Sequence, residues 1–133
     1  MGFNNSEEVS KYIGGIFEDA FEDPEIGPKL VDTGLIVAFD FSDPEAVVVV
    51  DMPNKVVTSG LGGATPSATM TMTADLGNAY WQGKVNLPMA MAKRKVTVDG
   101  SVASLLKLAP LGKKLYAGYI QRLHEDGRED LIV

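Results

Sequence analysis

The sequence contains no cysteine and only one histidine, His124. A chain without thiols forms no disulfide, no thiolate metal site and no cysteine nucleophile. His124 lies near the end of the sequence among charged residues, so we interpret it as a solvated side chain rather than the general base of a Ser–His–Asp triad. The sequence therefore predicts no metal site, no cofactor and no catalytic residue, and we do not expect an enzyme. A further alternative, an enzyme that uses carboxylates or tyrosines with a polar group in its cavity, stays open.

Long apolar runs are also missing. The longest strictly apolar runs, Leu35 to Phe39 and Ala46 to Val50, hold five residues each, whereas about 20 residues are needed to cross a bilayer. The first 30 residues are acidic and contain no basic start followed by an apolar stretch. They predict no secretory signal, and we expect a cytoplasmic protein.

Acidic and basic residues are unevenly spread along this chain of 133 residues, whose net charge is −6. Residues 1–75 carry 13 acids and three bases, a net charge of −10, whereas residues 84–122 carry eight bases and only Asp99 as an acid. The acidic total argues against nucleic-acid binding, which depends on many phosphate contacts. The basic stretch from Lys84 to Arg122 is typical either of solvated helix faces or of a surface for anionic headgroups.

Hydrophobic residues make up 45% of the sequence, which suits one folded domain over residues 1–133. Apolar residues at helical spacing from Val9 to Phe21 predict a first helix, and residues 24–34 are interpreted as a loop or short helical turn. Alternation with a period of two predicts five strands. These are Leu35–Phe41, Ala46–Asp51, Lys55–Ser59, Ala68–Thr73 and Lys95–Asp99.

Further helices are predicted over Ala74–Gln82 and Leu87–Lys93. Another begins after Ser101 and turns four apolar residues inward, namely Val102, Leu105, Leu106 and Ala109. Pro110 is expected to break it before a last apolar stripe that ends at Leu123. Short connections between the first three strands favour antiparallel pairing. The elements predict an α+β fold, a five-stranded mostly antiparallel sheet with helices covering one face.

Four methionines and two aromatic residues are concentrated in the middle of the chain. They are Met70 and Met72 on the fourth strand, Tyr80 and Trp81 on the next helix, and Met89 and Met91 on the helix after it. Methionine fills irregular gaps in cores and also lines surfaces that adapt to varied partners. The pattern leaves two interpretations open, an ordinary core or a cavity between sheet and helices for an apolar ligand.

Four short motifs follow one another in this part of the sequence. They are the strand Thr69–Thr73 with an acidic helix start after it, Gly83-Lys-Val-Asn86, Lys95-Val-Thr-Val-Asp-Gly100 and Leu105-Leu-Lys-Leu108. In this order and spacing they resemble the successive motifs of the sterol carrier protein-2 family. The resemblance spans residues 5–123.

The resemblance implies a fold in which the sheet and its helices enclose an apolar tunnel. It implies a non-catalytic protein that binds and transfers a fatty acid, a fatty acyl-coenzyme A or a sterol. Matching motif positions places Val37 and Phe39 on the floor of the tunnel, and Leu105, Leu115 and Tyr119 on a C-terminal lid. The other expected wall residues are Met70, Met72, Leu76, Tyr80, Trp81, Met89, Met91 and Val98.

If a tunnel is present, we expect the basic stretch from Lys84 to Arg122 to flank its entrance and to attract an anionic membrane surface. An alternative function is an accessory or dimerisation module of a lipid- or steroid-metabolising enzyme, with its groove filled by the protein's own side chains. The segment from Val47 to Val50 is apolar on both faces of its strand, which favours a homodimer.

Overall fold

The five strands form a single mixed sheet in the computed structural model, which describes residues 2–60, 62–63 and 65–133. The strands lie in the order β3-β2-β1-β4-β5. Their bounds are β1 Ile36–Ser42, β2 Ala46–Asp51, β3 Val56–Ser59, β4 Ala68–Thr73 and β5 Thr97–Gly100. The pairs β1–β2, β2–β3 and β4–β5 are antiparallel, and β1–β4 is parallel. The predicted mostly antiparallel α+β sheet is confirmed.

The two central strands are positioned by their apolar alternation. Val37, Phe39 and Phe41 of β1 are buried, while Asp40 between them is exposed. In β4 the alanine and methionines are buried and Thr71 is exposed. Because side chains of a strand alternate between its two faces, this pattern turns one face of the sheet toward the helices. That inner face carries the core.

The helices follow the strands along the chain. Helix α1 covers residues 6–22 and includes a π-helical segment, Ser10–Gly14, between the α-helical segments Ser6–Val9 and Gly15–Glu22. The later helices are α2 Ile26–Thr33, α3 Ala74–Tyr80, α4 Leu87–Ala92, α5 Val102–Lys113 and α6 Tyr116–Glu125, with a short 3₁₀ turn at Glu129–Leu131. Within the described residues, no helix has the length and apolar character needed to cross a membrane.

Helix α2 corrects the prediction of a loop or short helical turn at residues 24–34. The Asp23 carboxylate accepts two backbone N–H groups at the helix start, at 2.8 and 2.9 Å. Pro28 lies in the first turn, where a missing N–H costs no helical hydrogen bond. Gly34, with φ 67°, ends the helix. Proline and glycine therefore mark the two ends of a helix here rather than a loop.

Helix α5 corrects two further predictions. It continues through Pro110 to Lys113 instead of ending there. Proline removes the donor for the carbonyl of Leu106, but Leu106 is exposed and water can take the place of that donor. Val102 and Leu106 were expected to point inward, yet they are 39% and 56% exposed, and Leu108 is buried in their place.

The outer face of the sheet bears on the predicted homodimer. Val49 is buried, Val47 is half-buried and Val56 of β3 is 44% exposed. The register places Val49 opposite Thr58 and Asp51 opposite Val56, so apolar and polar side chains are mixed on this face. A homodimer through it stays a prediction.

A buried polar network holds the C-terminal residues against α3. The Tyr119 hydroxyl donates to Asn78 Oδ1 at 2.6 Å, and Asn78 Nδ2 donates to the Leu131 carbonyl at 2.7 Å. Gln82 Nε2 donates to the same carbonyl at 2.9 Å, and its Oε1 accepts the N–H of Val133 at 3.0 Å. Among the described residues, no buried side-chain nitrogen or oxygen lacks a partner. The network fixes the path of the chain after α6.

Arg128 connects the two ends of the described chain. Its guanidinium lies 2.9 Å from Glu8 Oε2 and 3.0 Å from Asp130 Oδ1. The backbone N–H of Asn4, and then Arg128, hold the pKa of Glu8 below its ordinary value of 4.5. Arg128 likewise lowers the pKa of Asp130 from 3.8. Both carboxylates are therefore more stable in their charged form in the folded protein.

These pairs predict that stability falls in acid. A carboxyl whose pKa is lowered by folding stabilises the fold above its unfolded pKa and loses that contribution as the pH falls through the folded value. We expect Arg128→Met to lower the urea midpoint at pH 7 and to change it little near pH 2, where both carboxyls are protonated. Arg94→Met, at an exposed arginine without an acidic partner in the described chain, is the control. An equal loss for Arg128→Met at both pH values would contradict the prediction.

Candidate functional site

A small apolar cavity lies between the inner face of the sheet and the helices α3 and α5. Its volume is about 20 Å³. It is lined by Phe39, Met70, Tyr80, Trp81, Leu87, Leu105, Leu108, Ala109 and Gly112. This space suits one water molecule, whereas small-molecule sites usually measure roughly 300–1,000 Å³. The described residues thus form a cavity in the place of the expected tunnel, but its volume is too small for a hydrocarbon tail.

Aromatic rings form one wall of this central cavity. The Trp81 ring meets Phe17 and Tyr80 edge-to-face, each at a centroid distance of 5.3 Å. Phe39 of β1 lies 6.3 Å from Trp81, also near the perpendicular geometry that aromatic pairs favour. The tryptophan is therefore held between the sheet, α1 and α3 with one side on the cavity.

Gly112 places the backbone of α5 beside this wall. A Cβ atom placed on Gly112 would stand 3.6 Å from Trp81 Cζ3, which is an ordinary van der Waals contact. A larger side chain would extend from there toward the indole or into the cavity. The absence of a side chain at this position leaves part of the central cavity unfilled.

The central cavity carries no charge. Among the described residues that line it, Tyr80 has the only ionisable side chain. Burial, and to a smaller extent the neighbouring Tyr116, raise the pKa of the Tyr80 hydroxyl. The hydroxyl is neutral at physiological pH, so the lining carries no charge and is suited to hydrocarbon.

A larger groove lies on the outer side of the same residues. Its volume is about 380 Å³, and it is lined by Tyr80, Val85, Asn86, Leu87, Pro88, Leu106, Ala109, Lys113 and Tyr116. Tyr80, Leu87 and Ala109 line both the groove and the central cavity. The central cavity and the groove therefore adjoin each other at these three side chains.

Helix α5 is the element whose movement would join the two spaces. Only Leu105, Leu108 and Gly112 of this helix are fully buried. Its interior also contains Pro110, which interrupts its hydrogen-bond ladder. A helix held by few buried side chains opens at lower free-energy cost than a core strand. An outward shift of α5 would carry Ala109 away from Tyr80 and Leu87.

Five of the residues predicted to bind ligand meet at the central cavity, namely Phe39, Met70, Tyr80, Trp81 and Leu105. Val37 and Met72 lie in the adjoining core, and Met91 and Val98 are half-buried against it. Leu76 and Met89 line a separate surface pocket. Leu115 and Tyr119 line a further cavity, between α1, α2 and α6. That these residues bind a ligand stays a prediction.

Four lining residues were not among those predicted to bind ligand, namely Leu87, Leu108, Ala109 and Gly112. Leu108 and Gly112 follow Leu105 by three and seven positions, which is the spacing of one helical face. The pattern Val102, Leu105, Leu106, Ala109 fits helical spacing equally well, so hydrophobicity alone did not choose between the two faces. Among the described residues, no cluster of three potential metal ligands accompanies the cavity.

The sequence matches the model of the SCP-2 sterol transfer family over residues 17–113. The chain belongs to this family. The resemblance drawn from the sequence motifs is thereby confirmed, and the match covers both central strands and all residues that line the central cavity. A search of curated proteins returned no match.

Solved structures of the SCP-2 family share the fold. The sterol carrier protein domain 2 of Helicoverpa armigera has a TM-score of 0.68 and 22% identity, covering 88% of this chain and 95% of its own. The apo form of Sterol Carrier Protein 2 from Yarrowia lipolytica has a TM-score of 0.65 and 18% identity, covering 80% and 99%. Sterol Carrier Protein-2 from Aedes aegypti, in complex with the C16 fatty acid palmitate, has a TM-score of 0.56 and 23% identity, covering 81% and 94%.

Proposed function

We propose that this SCP-2 family chain binds the hydrocarbon part of one lipid in its central cavity and transfers that lipid, unreacted, between membranes. The observation that carries the proposal is the uncharged cavity between sheet and helices, which adjoins an apolar surface groove at Tyr80, Leu87 and Ala109. The lipid classes proposed are fatty acids, fatty acyl-coenzyme A and sterols. The compartment proposed is the cytoplasm.

Binding requires the central cavity to expand. An outward shift of α5 joins the space of about 20 Å³ to the groove of about 380 Å³, and the combined space falls within the range of small-molecule sites. Met70, with its flexible side chain, can adapt to the new contents. In this proposal the small cavity is the unloaded state of the site, and α5 is the lid that moves when lipid enters.

Physical estimates favour a reversible carrier. Burying about ten methylenes at roughly 0.8 kcal/mol each gives ~8 kcal/mol before costs. Immobilising the lipid and opening α5 reduce that gain and leave affinities of about micromolar at best. Such affinity allows a protein both to take a lipid from a membrane and to release it. The fold shared with the palmitate complex of the Aedes aegypti protein supports a fatty acid as one ligand.

The side chains of the cavity support binding without chemistry. General acid–base catalysis needs a group whose pKa lies near the working pH. The Tyr80 pKa is raised further from neutrality by burial, and the other lining residues do not titrate. The lining can hold a lipid and exclude water, which are the two tasks of a carrier.

Titration of the delipidated protein tests this function. Trp81 is the only tryptophan of the chain and lies on the cavity wall, so its fluorescence reports directly on the site. We expect palmitate, palmitoyl-coenzyme A or cholesterol to change its emission with a saturable curve, and native mass spectrometry to show one bound lipid per chain. No uptake of any of the three at tens of micromolar would contradict the proposal.

The small volume of the cavity also favours a second candidate function. The chain would be an accessory module of a lipid- or steroid-metabolising enzyme, and the module's groove would be filled by its own side chains. A volume of about 20 Å³ is what such a filled groove would show. The two candidates differ in the titration above. The module predicts no lipid uptake together with stable association with the enzyme or with a second copy of the chain.

A further inference from the structure

The cationic side chains of one region have no acidic partners. Elsewhere Lys11, Lys29, Lys114, Arg122 and Arg128 each lie within ion-pair distance of a carboxylate. No described carboxylate pairs with the six exposed cations of α4, α5 and their flanks, which are Lys84, Lys93, Arg94, Lys95, Lys107 and Lys113. Their positive charge is therefore available to an external partner.

Exposed apolar side chains occur in the same region. Met89 of α4 is 54% exposed, and Val102 and Leu106 of α5 are 39% and 56% exposed. Elsewhere in the described chain, large hydrophobic side chains with comparable exposure are Val56 and Val133. Most of the well-exposed large apolar residues therefore lie on the two helices that also carry the unpaired cations.

Several members of these two sets lie side by side on two adjacent surface depressions. Met89 shares a pocket of about 180 Å³ with Lys84, Lys93 and Lys95. Leu106 shares the outer groove with Lys113. Val85 and Asn86 line both the pocket and the groove, so the two are adjacent. We call this combined surface, formed by the pocket, the groove and the exposed residues of α4 and α5, the basic apolar face.

We propose that the basic apolar face docks onto an anionic lipid bilayer, with Met89 and Leu106 entering the interfacial layer and the lysines contacting headgroups. A bilayer offers negative headgroups beside hydrocarbon, which complements cations set around apolar side chains. Nucleic acid offers the negative charge without a place for the two apolar side chains. This inference rests on the proposed function and deepens it, because docking would bring the outer groove directly against the membrane.

The charge distribution of the rest of the chain orients this docking. Residues 1–75 carry a net charge of −10, and an anionic surface repels that part of the molecule. The attraction of the lysines and the repulsion of exposed carboxylates elsewhere act together, so the face with the unpaired cations turns toward the membrane. Lipid then passes between bilayer and cavity without crossing water.

Vesicle co-sedimentation tests the proposal with phosphatidylcholine vesicles that contain or lack phosphatidylserine. We expect the full chain to bind the anionic vesicles, to bind neutral ones weakly, and to be released by added salt. The variant Lys93→Glu/Lys107→Glu should lower binding at least about tenfold, because each cation near an anionic surface contributes about fivefold. The variant Met89→Ser/Leu106→Ser should also bind at least about tenfold less tightly.

The double variant Lys55→Glu/Val56→Ser is the matched control. It changes a cation without an ion pair in the described chain, directly before β3, and Val56 of β3, which is 44% exposed. Strand β3 is the edge of the sheet opposite β5, and neither residue lines the pocket or the groove of the basic apolar face. We expect it to bind vesicles like the unmodified chain. The proposal would be overturned if the control and the Lys93→Glu/Lys107→Glu variant lost vesicle binding equally, or if binding did not depend on phosphatidylserine.

Palmitate uptake without vesicles separates this inference from the proposed function. We expect Lys93→Glu/Lys107→Glu to keep the Trp81 response to palmitate while it loses vesicle binding. If the unmodified chain binds vesicles as described but takes up no lipid, the carrier function fails and docking stands. If it takes up palmitate but ignores anionic vesicles, or binds single-stranded DNA equally well, docking fails and the carrier function stands.

Discussion

Replacing Ala109 with phenylalanine is expected to weaken palmitate binding at least about tenfold, equivalent to about 1.4 kcal/mol. Ala109 is half-buried and lines both the central cavity and the outer groove. A phenyl ring at this point occupies the passage between Tyr80 and Leu87 through which the hydrocarbon would enter. The measurement is a titration of Trp81 fluorescence with palmitate.

Ala103→Phe provides the matched control for this substitution. Ala103 lies on the same helix but is exposed and lines neither space. We expect Ala103→Phe to leave palmitate affinity within about twofold, because an exposed substitution far from the passage removes no contact.

The free energy of unfolding of each Ala109 variant shows whether weaker binding merely reflects a loss of folded protein. Overpacking at Ala109 is expected to cost about 1–3 kcal/mol. If Ala109→Phe does not fold, Ala109→Leu is measured instead, with an expected weakening between that of the two phenylalanine variants. Unchanged or tighter palmitate binding by a folded Ala109 variant would show that lipid does not pass Ala109, and the α5-lid model would be wrong.

Replacing Asn78 with alanine is expected to give the largest loss of stability, about 3 kcal/mol. The amide of Asn78 accepts from the Tyr119 hydroxyl and donates to the Leu131 carbonyl, and both bonds are buried. Its removal leaves the Tyr119 hydroxyl without its acceptor inside the protein, which typically costs about 1–3 kcal/mol per group. Gln82 still donates to the Leu131 carbonyl and accepts the N–H of Val133, so the tail keeps both of its bonds to Gln82.

A double-mutant cycle separates the network from simple packing. Tyr119→Phe alone removes the hydroxyl and is expected to cost about 1 kcal/mol. In the double variant with Asn78→Ala the stranded hydroxyl is gone, so the combined loss should fall short of the sum by about 1–2 kcal/mol. Urea unfolding monitored by circular dichroism measures each variant, and Gln121→Ala, which removes an exposed amide on α6, is the control. Strict additivity would contradict the network.

The sheet was largely predictable because its signal is local. Met70 and Met72 alternate with threonines, and that period of two fixes which side chains face the helices. The parallel pairing of β1 with β4 was not predictable in the same way. It joins Phe39 to Met70 across 31 positions of sequence, and no local pattern encodes such a register.

The residues of the candidate site were likewise only partly predictable from the sequence. Tyr80, Trp81 and Met70 were found because motif order placed them on elements that pack together. The inward face of α5 was misassigned because Leu105 belongs to two apolar patterns of equal quality, and only packing against the cavity wall selects the one through Leu108 and Gly112. The Asn78 network had no sequence signal, since an amide becomes a core residue only when a distant tail supplies its partner.

The two edges of the sheet are β3 and β5, and each is only four residues long. Such an edge exposes few unpaired backbone groups, so a foreign strand can form few hydrogen bonds with it. Exposed apolar side chains such as Met89 and Leu106 favour self-association, and a long free strand edge would let such contacts grow into fibres. Short edge strands limit fibre formation through the sheet, which is the form of aggregation that is hardest to reverse.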